Sequence, residues 1–466
     1  MGFKGYCSFY ISKFITFKIQ LMRSVNRFVD KKIIAIFFVL CFLGGFLIIS
    51  INHQPRVKLG DEYIYCNPGA KVKPDREYQL RLWDTNWPVL AAGEYKAYLE
   101  KLVQDFQKIY PNIKVQITLI DFGNGLNQLA AALKNNSAPD VYCSAFSIPA
   151  FDRKRQIPVG FYLKQKEKEA YFPEARRLVS RYRVECCFPR WMASTVWLGN
   201  QHLFNSLNLP LLRMQKTGYS WEEFMVSSQK LPKGKFMMVG NLGYNGFFTN
   251  LAVNASAEAG PDGNFLPQKG VAETLNQMNS FITERKIPSD FEPNMLGRFL
   301  AGDSLILAGV RPIIYRFLKL KLAEKPEECR CEPVLLPSPG TGRKKFLLTE
   351  NGVICIYRNK RNTGDDQIAA AVKLGQFIST YEKTGPFQEM MLIPAAQKSA
   401  RRWCKELFPT VGDVSGLLDQ VENSSLLNLS DYSGYQREIY PVLQEFFARK
   451  TPLESVKERL QNVRWK

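Results

Sequence analysis

Leu80-Arg-Leu-Trp83-Asp-Thr-Asn-Trp87, Ile113-Lys-Val-Gln-Ile-Thr-Leu-Ile120 and Ala138-Pro-Asp-Val141 are the landmarks of one stretch, 80–141, that decides the fold. The first is a short apolar strand running into a polar and aromatic loop. Tyr95, Tyr98, Leu99, Leu102, Val103, Phe106 and Tyr110 then recur at i, i+3, i+4 and i+7, which marks a helix with one buried face. Pro111 ends it, and 113–120 alternates as a β-rich strand. Leu126, Leu129, Ala130 and Leu133 mark a second helix, and Ala138-Pro-Asp-Val enters a third strand. Such a β–α–β–α–β opening builds an α/β lobe whose ligands gather at the carboxyl ends of the strands.

Working outward, 33–51 is apolar and free of charge, long enough to span a bilayer. Seven basic residues (Lys4, Lys13, Lys18, Arg23, Arg27, Lys31, Lys32) precede it against Asp30 alone. The positive-inside rule then predicts a cytoplasmic tail over 1–32 and an extracytoplasmic body. No small-x-small cleavage site follows, and Leu40 stands where a lipoprotein signal before Cys41 needs a small residue, so an uncleaved signal anchor is expected. A start at Met22 would leave a more usual signal-like segment. Pro55, Gly60, Pro68, Gly69 and Pro74 make 52–77 read as a linker.

The charge of +20 includes +6 from the tail, and the rest is spread without a basic block. No nucleic-acid motif accompanies it, so no nucleic-acid partner is expected. There are only two histidines, His53 beside the apolar run and His202 on a surface helix, which leaves histidine catalysis unsupported. No metal or cofactor motif is present: Cys186-Cys187 and Cys329-Arg-Cys331 match neither zinc nor thioredoxin spacing. The cysteines outside the apolar run are either buried thiols or partners in one or two disulfides that sequence alone does not pair.

Beyond 141, further segments fall into an ordered set. These are Phe188-Pro with Thr195-Val-Trp-Leu-Gly-Asn200 and Leu203-Phe, Ser220-Trp-Glu-Glu-Phe224, Phe299-Leu-Ala-Gly-Asp-Ser304, Leu335-Leu-Pro-Ser-Pro-Gly340 and Ile393-Pro-Ala395. With the 80–141 opening, this series resembles bacterial extracellular solute-binding protein family 1, the sugar-binding subunits of ABC importers, from about Leu80 to the C-terminus. The chain departs from the family pattern at Thr349-Glu-Asn-Gly352, where a glycine-rich strand is usual, and at Val310-Arg-Pro312, where a tryptophan is usual.

The resemblance implies a two-lobed, periplasmic-binding-protein-like clamp (type II) of α/β class behind one N-terminal transmembrane helix. It places lobe I at 78–190 plus 309–392 and lobe II at 191–308 plus 393–466. It implies a carbohydrate held between the lobes and delivered to ABC permease subunits, with no enzymatic activity. A membrane-anchored ligand sensor and a glycan-degrading enzyme are the alternatives.

Sugar recognition combines flat aromatic walls with a few planar polar groups. The candidates are Trp83, Asp84, Trp87, Arg190, Trp191, Arg311, Tyr315, Glu350 and Asn351. Trp83 is either cleft or core. Arg190 and Arg311 are either solvated or, if both face the cleft, selective for an anionic sugar. Asp140 reads as a turn-closing residue and Trp221 as a helix-start staple.

Overall fold

The computed structural model describes residues 36–42, 55–87, 90, 93–145, 152, 154–243, 246–256, 268–337, 345–361, 364–428 and 434–461. Two compact units are distinguished, Met1–Val57 and Lys58–Lys466. In the first, 36–42 is helical and Ile36, Phe37, Val39, Leu40 and Phe42 are exposed. The tail 1–32, most of the expected 33–51 span and His53 lie outside the described residues. Among the described residues, no helix is long and apolar enough to cross a membrane.

In chain order the second unit contains β1 (Tyr78–Thr85), α1 (Glu94–Ile109), β2 (Ile113–Ile120), α2 (Gly125–Lys134), β3 (Val141–Ser144) and β4 (Phe188–Ser194). There follow β5 (Val196–Asn200), α3 (Trp221–Gln229), β6 (Phe236–Gly240), α4 (Gly246–Ser256), β7 (Ser304–Val310), α5 (Pro312–Glu324) and β8 (Pro333–Leu336). Last come β9 (Lys345–Tyr357), α6 (Asp365–Thr380), β10 (Ile393–Pro394), α7 (Gln397–Val411), β11 (Ser424–Asn428), α8 (Tyr440–Phe447) and α9 (Leu453–Gln461).

The opening folds as its periodicity dictates. Tyr95, Leu99, Leu102, Val103 and Phe106 form the buried face of α1. β1 pairs in parallel with β2 from Tyr78↔Ile113 to Thr85↔Ile120. The strand therefore runs past Trp83 and takes in Asp84 and Thr85, which the sequence reading placed in the loop. Asp140 is structural but ties distant segments rather than closing a local turn, accepting from the Arg81 backbone N–H at 2.8 Å and from Asn359 at 3.1 Å.

Two sheets organise the unit, one per lobe. The larger has the order β10-β4-β9-β3-β1-β2, with β11 and the short strand Gln156–Ile157 also pairing with β9. The smaller has the order β6-β7-β5-β8. The chain leaves the first sheet after Ser194 and enters the second at Val196, with Thr195 between them. Sheet membership redraws the expected lobe boundaries. β7 and β8 both pair with β5, so 309–336 belongs with the second sheet. β10 pairs with β4, so Ile393–Pro394 belongs with the first. The chain returns to the second lobe only at its end, where Tyr435, Ile439, Leu443, Phe447, Val456 and Leu460 join the core of Trp197, Phe224, Phe247 and Phe281.

Residues 58–77 are not the free linker expected. Leu59, Ile64 and Cys66 are buried. Asn67 donates to Asp365 at 2.9 Å, and Arg76 pairs with Asp366 at 2.7 Å. The acidic first turn of α6 is thus met by this segment, where carboxylates also suit the positive end of the helix dipole. In α3, the Ser220 hydroxyl and the Glu223 carboxylate form the reciprocal cap. Trp221 packs edge-on to Phe224 at 5.3 Å, a staple as expected.

Candidate ligand face

The contacts along β4 sort its candidates. A bulge interrupts the β4–β9 register at Arg190, where Trp191 faces Gly352 and Pro189 faces Val353, and Arg190 and Trp191 make separate sets of contacts. Arg190 turns to the α1 side. Its guanidinium pairs with Asp84 at 2.8 Å, donates to the Tyr95 hydroxyl at 3.0 Å, and lies 5.4 Å above the Phe387 ring. Tyr95 also donates to Asp84, and the Thr85 N–H reaches the same carboxylate. Asp84 and Arg190 are 1% and 2% exposed. Burial acts to lower the Arg190 pKa, but the neighbouring Asp84 carboxylate outweighs it and holds the guanidinium firmly charged. Burial pushes the Tyr95 phenol well above its ordinary range. This triad ties β1, α1 and β4 together and offers no free charge to a ligand. The expectation that Asp84 and Arg190 meet the ligand gives way to a positioning role, because both are buried and paired with each other.

Trp191 has different neighbours. Its indole lies against Gly352, which it faces across the β4–β9 ladder. A Cβ on Gly352 would fall 2.1 Å from the indole nitrogen. Trp87, in the loop after β1, meets Trp191 edge-on with centroids 5.7 Å apart and meets Phe122 at 5.4 Å. Three aromatic rings from the loops after β1 and β2 and from β4 thus form one wall. The indole nitrogens of Trp87 and Trp191 are both buried and have no hydrogen-bond partner among the described residues; the hydroxyls of Ser194 and Thr195 are in the same condition.

Glu350 faces Ala193 across the ladder and therefore shares a sheet face with Trp191. Its carboxylate accepts from Arg311 at 2.7 Å. Arg311 stands at the start of α5, on the second lobe, so this pair spans the two lobes. Burial raises the Glu350 pKa, and Arg311 draws it part of the way back. A second pair, Arg316 of α5 with Glu389, crosses between the lobes beside it. Asn351 faces Met192 on the opposite side of the ladder and is 2% exposed, so it does not join Trp191 and Glu350.

Two other candidates lie apart. Trp83 is half-buried against the core of Ile120, Leu129 and Tyr142, which is the core alternative of its reading. Tyr315 is buried within α5, its phenol pushed up to about 12 chiefly by desolvation. The case for an anionic sugar loses its footing, since Arg190 is turned away and Arg311 is already paired. His202 is exposed, 3.8 Å from Glu332. Among the described residues, no group of three or more His, Cys, Asp or Glu could hold a metal ion.

Phe122 was missed in the sequence, though a signal existed. β1 and β2 are parallel neighbours, so the loops leaving them emerge at one edge of the sheet. Phe122, two residues past β2, belongs beside Trp87 for the same reason that Trp87 itself was chosen.

No curated protein is matched by the sequence. Among solved structures, the chain is similar to the cyclic alpha-maltosyl-1,6-maltose binding protein from Arthrobacter globiformis, at 12% identity and TM-score 0.60, covering 82% of this chain and 97% of that one. It is similar to maltose-bound MalE3 from T. maritima, at 15% identity and TM-score 0.57, covering 82% and 98%. It is also similar to the ABC substrate-binding protein Lmo0181 from Listeria monocytogenes, solved in complex with cycloalternan, at 13% identity and TM-score 0.54, covering 82% and 96%. At these identities the likeness is one of fold: an α/β, two-lobed, periplasmic-binding-protein-like architecture. Residues 92–234 match the family model of the bacterial extracellular solute-binding proteins.

Proposed function

We propose that the body is an extracytoplasmic binding protein that captures a carbohydrate between its two lobes and passes it to an ABC permease. One observation carries the reading. Trp87 and Trp191 present ring surface in mutual contact, and both keep a buried indole N–H without a partner among the described residues. A buried unpaired donor costs roughly 1–3 kcal/mol. A hydroxyl-rich ligand stacked on the wall would supply acceptors for both. Glu350 and Arg311, on opposite lobes and already neutralising each other, suit a neutral sugar better than a charged one. Maltose and cycloalternan bind to structural neighbours of this fold, which supports the same class.

Binding would favour the closed arrangement because the ligand touches both lobes only there. Thr195, at the first crossover, is the natural pivot. An uncleaved apolar anchor at 33–51 would hold the body at the outer face of the membrane. The test is a thermal-shift screen of the purified chain against neutral and anionic mono- and oligosaccharides, followed by calorimetry. A neutral glycan should raise the midpoint in a dose-dependent way. Selective binding of uronates or sugar phosphates, or turnover of a bound glycan, would refute the reading.

A further inference from the structure

Cys187 and Cys355 are placed to form a disulfide. Phe188 lies opposite Ile354 in the antiparallel β4–β9 ladder, so the next pair outward sets Cys187 against Cys355. Opposed residues in such a ladder have Cα atoms about 4.5–5.5 Å apart. That lies inside the range of about 4.4–6.8 Å that a disulfide spans without moving the backbone. Both side chains sit in one buried cluster with Tyr142, Val353 and Tyr357. The Gln156 amide donates to the Cys355 sulfur at 3.6 Å. The neighbouring Cys355 thiol and burial together hold the Cys187 thiol well above its ordinary range, as expected for two thiols in contact.

Alternation excludes the nearest rivals. Cys186 precedes Cys187 and points away, its thiol on the Val184 carbonyl at 3.7 Å. Cys143 pairs with Ile354, not with Cys355, and so lies on the other face of β3.

We propose that Cys187 and Cys355 close into a disulfide when the chain folds in an oxidising compartment; the compartment, though not the pairing, rests on the extracytoplasmic reading above. The oxidant is itself a disulfide, of glutathione or of an envelope thiol–disulfide oxidoreductase. One protein thiolate attacks it to give a mixed disulfide, and the second displaces the oxidant's remaining thiolate. Two electrons and two protons leave the protein and appear as two thiols on the oxidant. Closure belongs to folding rather than to the finished state, because both thiols are buried away from an oxidant and the raised pKa of Cys187 makes it a poor nucleophile. The bond would join the strand that leaves the first lobe to the strand that returns to it, enclosing the whole of β5 to β8.

The full chain is produced in two ways, by export from a bacterial host and by cell-free synthesis in glutathione redox buffer. Thiols are alkylated at harvest and the protein is digested with trypsin without reduction. The expected product joins the peptide 184–190 to the peptide 346–358, lighter by about 2 Da than the two free thiol peptides. It should persist in Cys186→Ser and vanish in Cys187→Ser. Reduction should lower the unfolding midpoint of the wild type by about 5–10 °C, and much less in Cys187→Ser. Alkylated Cys187 and Cys355 in both preparations, or a link made by Cys186 or Cys143, would overturn the proposal. A link present only in the cell-free product would uphold the pairing and count against the extracytoplasmic reading.

Discussion

Replacing Gly352 with alanine tests the aromatic wall at its foundation. The new Cβ would lie 2.1 Å from Nε1 and 2.2 Å from Cε2 of Trp191. Non-bonded atoms of this kind rest about 3.5–4.0 Å apart, so the indole would have to withdraw by roughly 1.5 Å. It has nowhere to go: Trp191 is 2% exposed and Trp87 lies against it. Overpacking of this kind costs about 1–3 kcal/mol. The displaced ring also loses its edge contact with Trp87, and sugar affinity should fall at least about tenfold, or about 1.4 kcal/mol. Urea unfolding followed by tryptophan fluorescence measures the first effect and calorimetric titration with the best glycan measures the second. Gly385→Ala is the control, because a Cβ there meets nothing within 4 Å. If Gly352→Ala unfolds within about 0.5 kcal/mol of the wild type and binds as tightly, the indole does not rest on that glycine and the wall is misdrawn.

Asp84→Ala strands the Arg190 charge in the interior and should cost about 3–5 kcal/mol in urea unfolding, whereas Asp84→Leu combined with Arg190→Met should recover much of that loss. Equal destabilisation by the single and the double change would show that the charges do not depend on each other. Trp87→Ala should leave the unfolding midpoint nearly unchanged but weaken sugar binding about 30-fold or more, read by calorimetry. The folded pKa of Glu350 is raised above its ordinary 4.5, so its contribution to stability is full below that value and is lost as pH rises through the folded one. Glu350→Gln cannot ionise, and its unfolding free energy should therefore decline less than that of the wild type from about pH 4 to about pH 7; parallel pH profiles would contradict the buried carboxylate.

The α/β opening was legible because helix α1 and strand β2 write their burial into local periods. The later motifs fixed the fold class because they came in order. The lobe boundaries were not legible, since they depend on which strand pairs with which. That β7 and β8 flank β5 is a fact about residues more than one hundred positions apart. The site was partly legible for a related reason. Trp87 and Trp191 were chosen for their chemistry, and the structure brings them together. Arg190 was chosen on the same grounds and turns out to be the Asp84 partner. Arg190 is the extra residue of a bulge against β9, a feature of strand pairing that local sequence does not show. An all-buried strand such as Phe188–Ser194 also shows no alternation from which to read its faces.

Strand β9 has a bearing on how the chain is made. It lies between β4 and β3 in the finished sheet, yet it emerges from the ribosome after every strand of the second sheet. Until Tyr357 is synthesised, β3 and β4 have no neighbour between them, and their edges cannot be closed by local pairing. Such long-range closure is slow, since the loop entropy must be met before any contact compensates it. A nascent chain in that condition stays open well past its first three hundred residues. For the extracytoplasmic body proposed above, late arrival of the central strand would act as a built-in delay: translocation could begin while the first sheet is still incomplete.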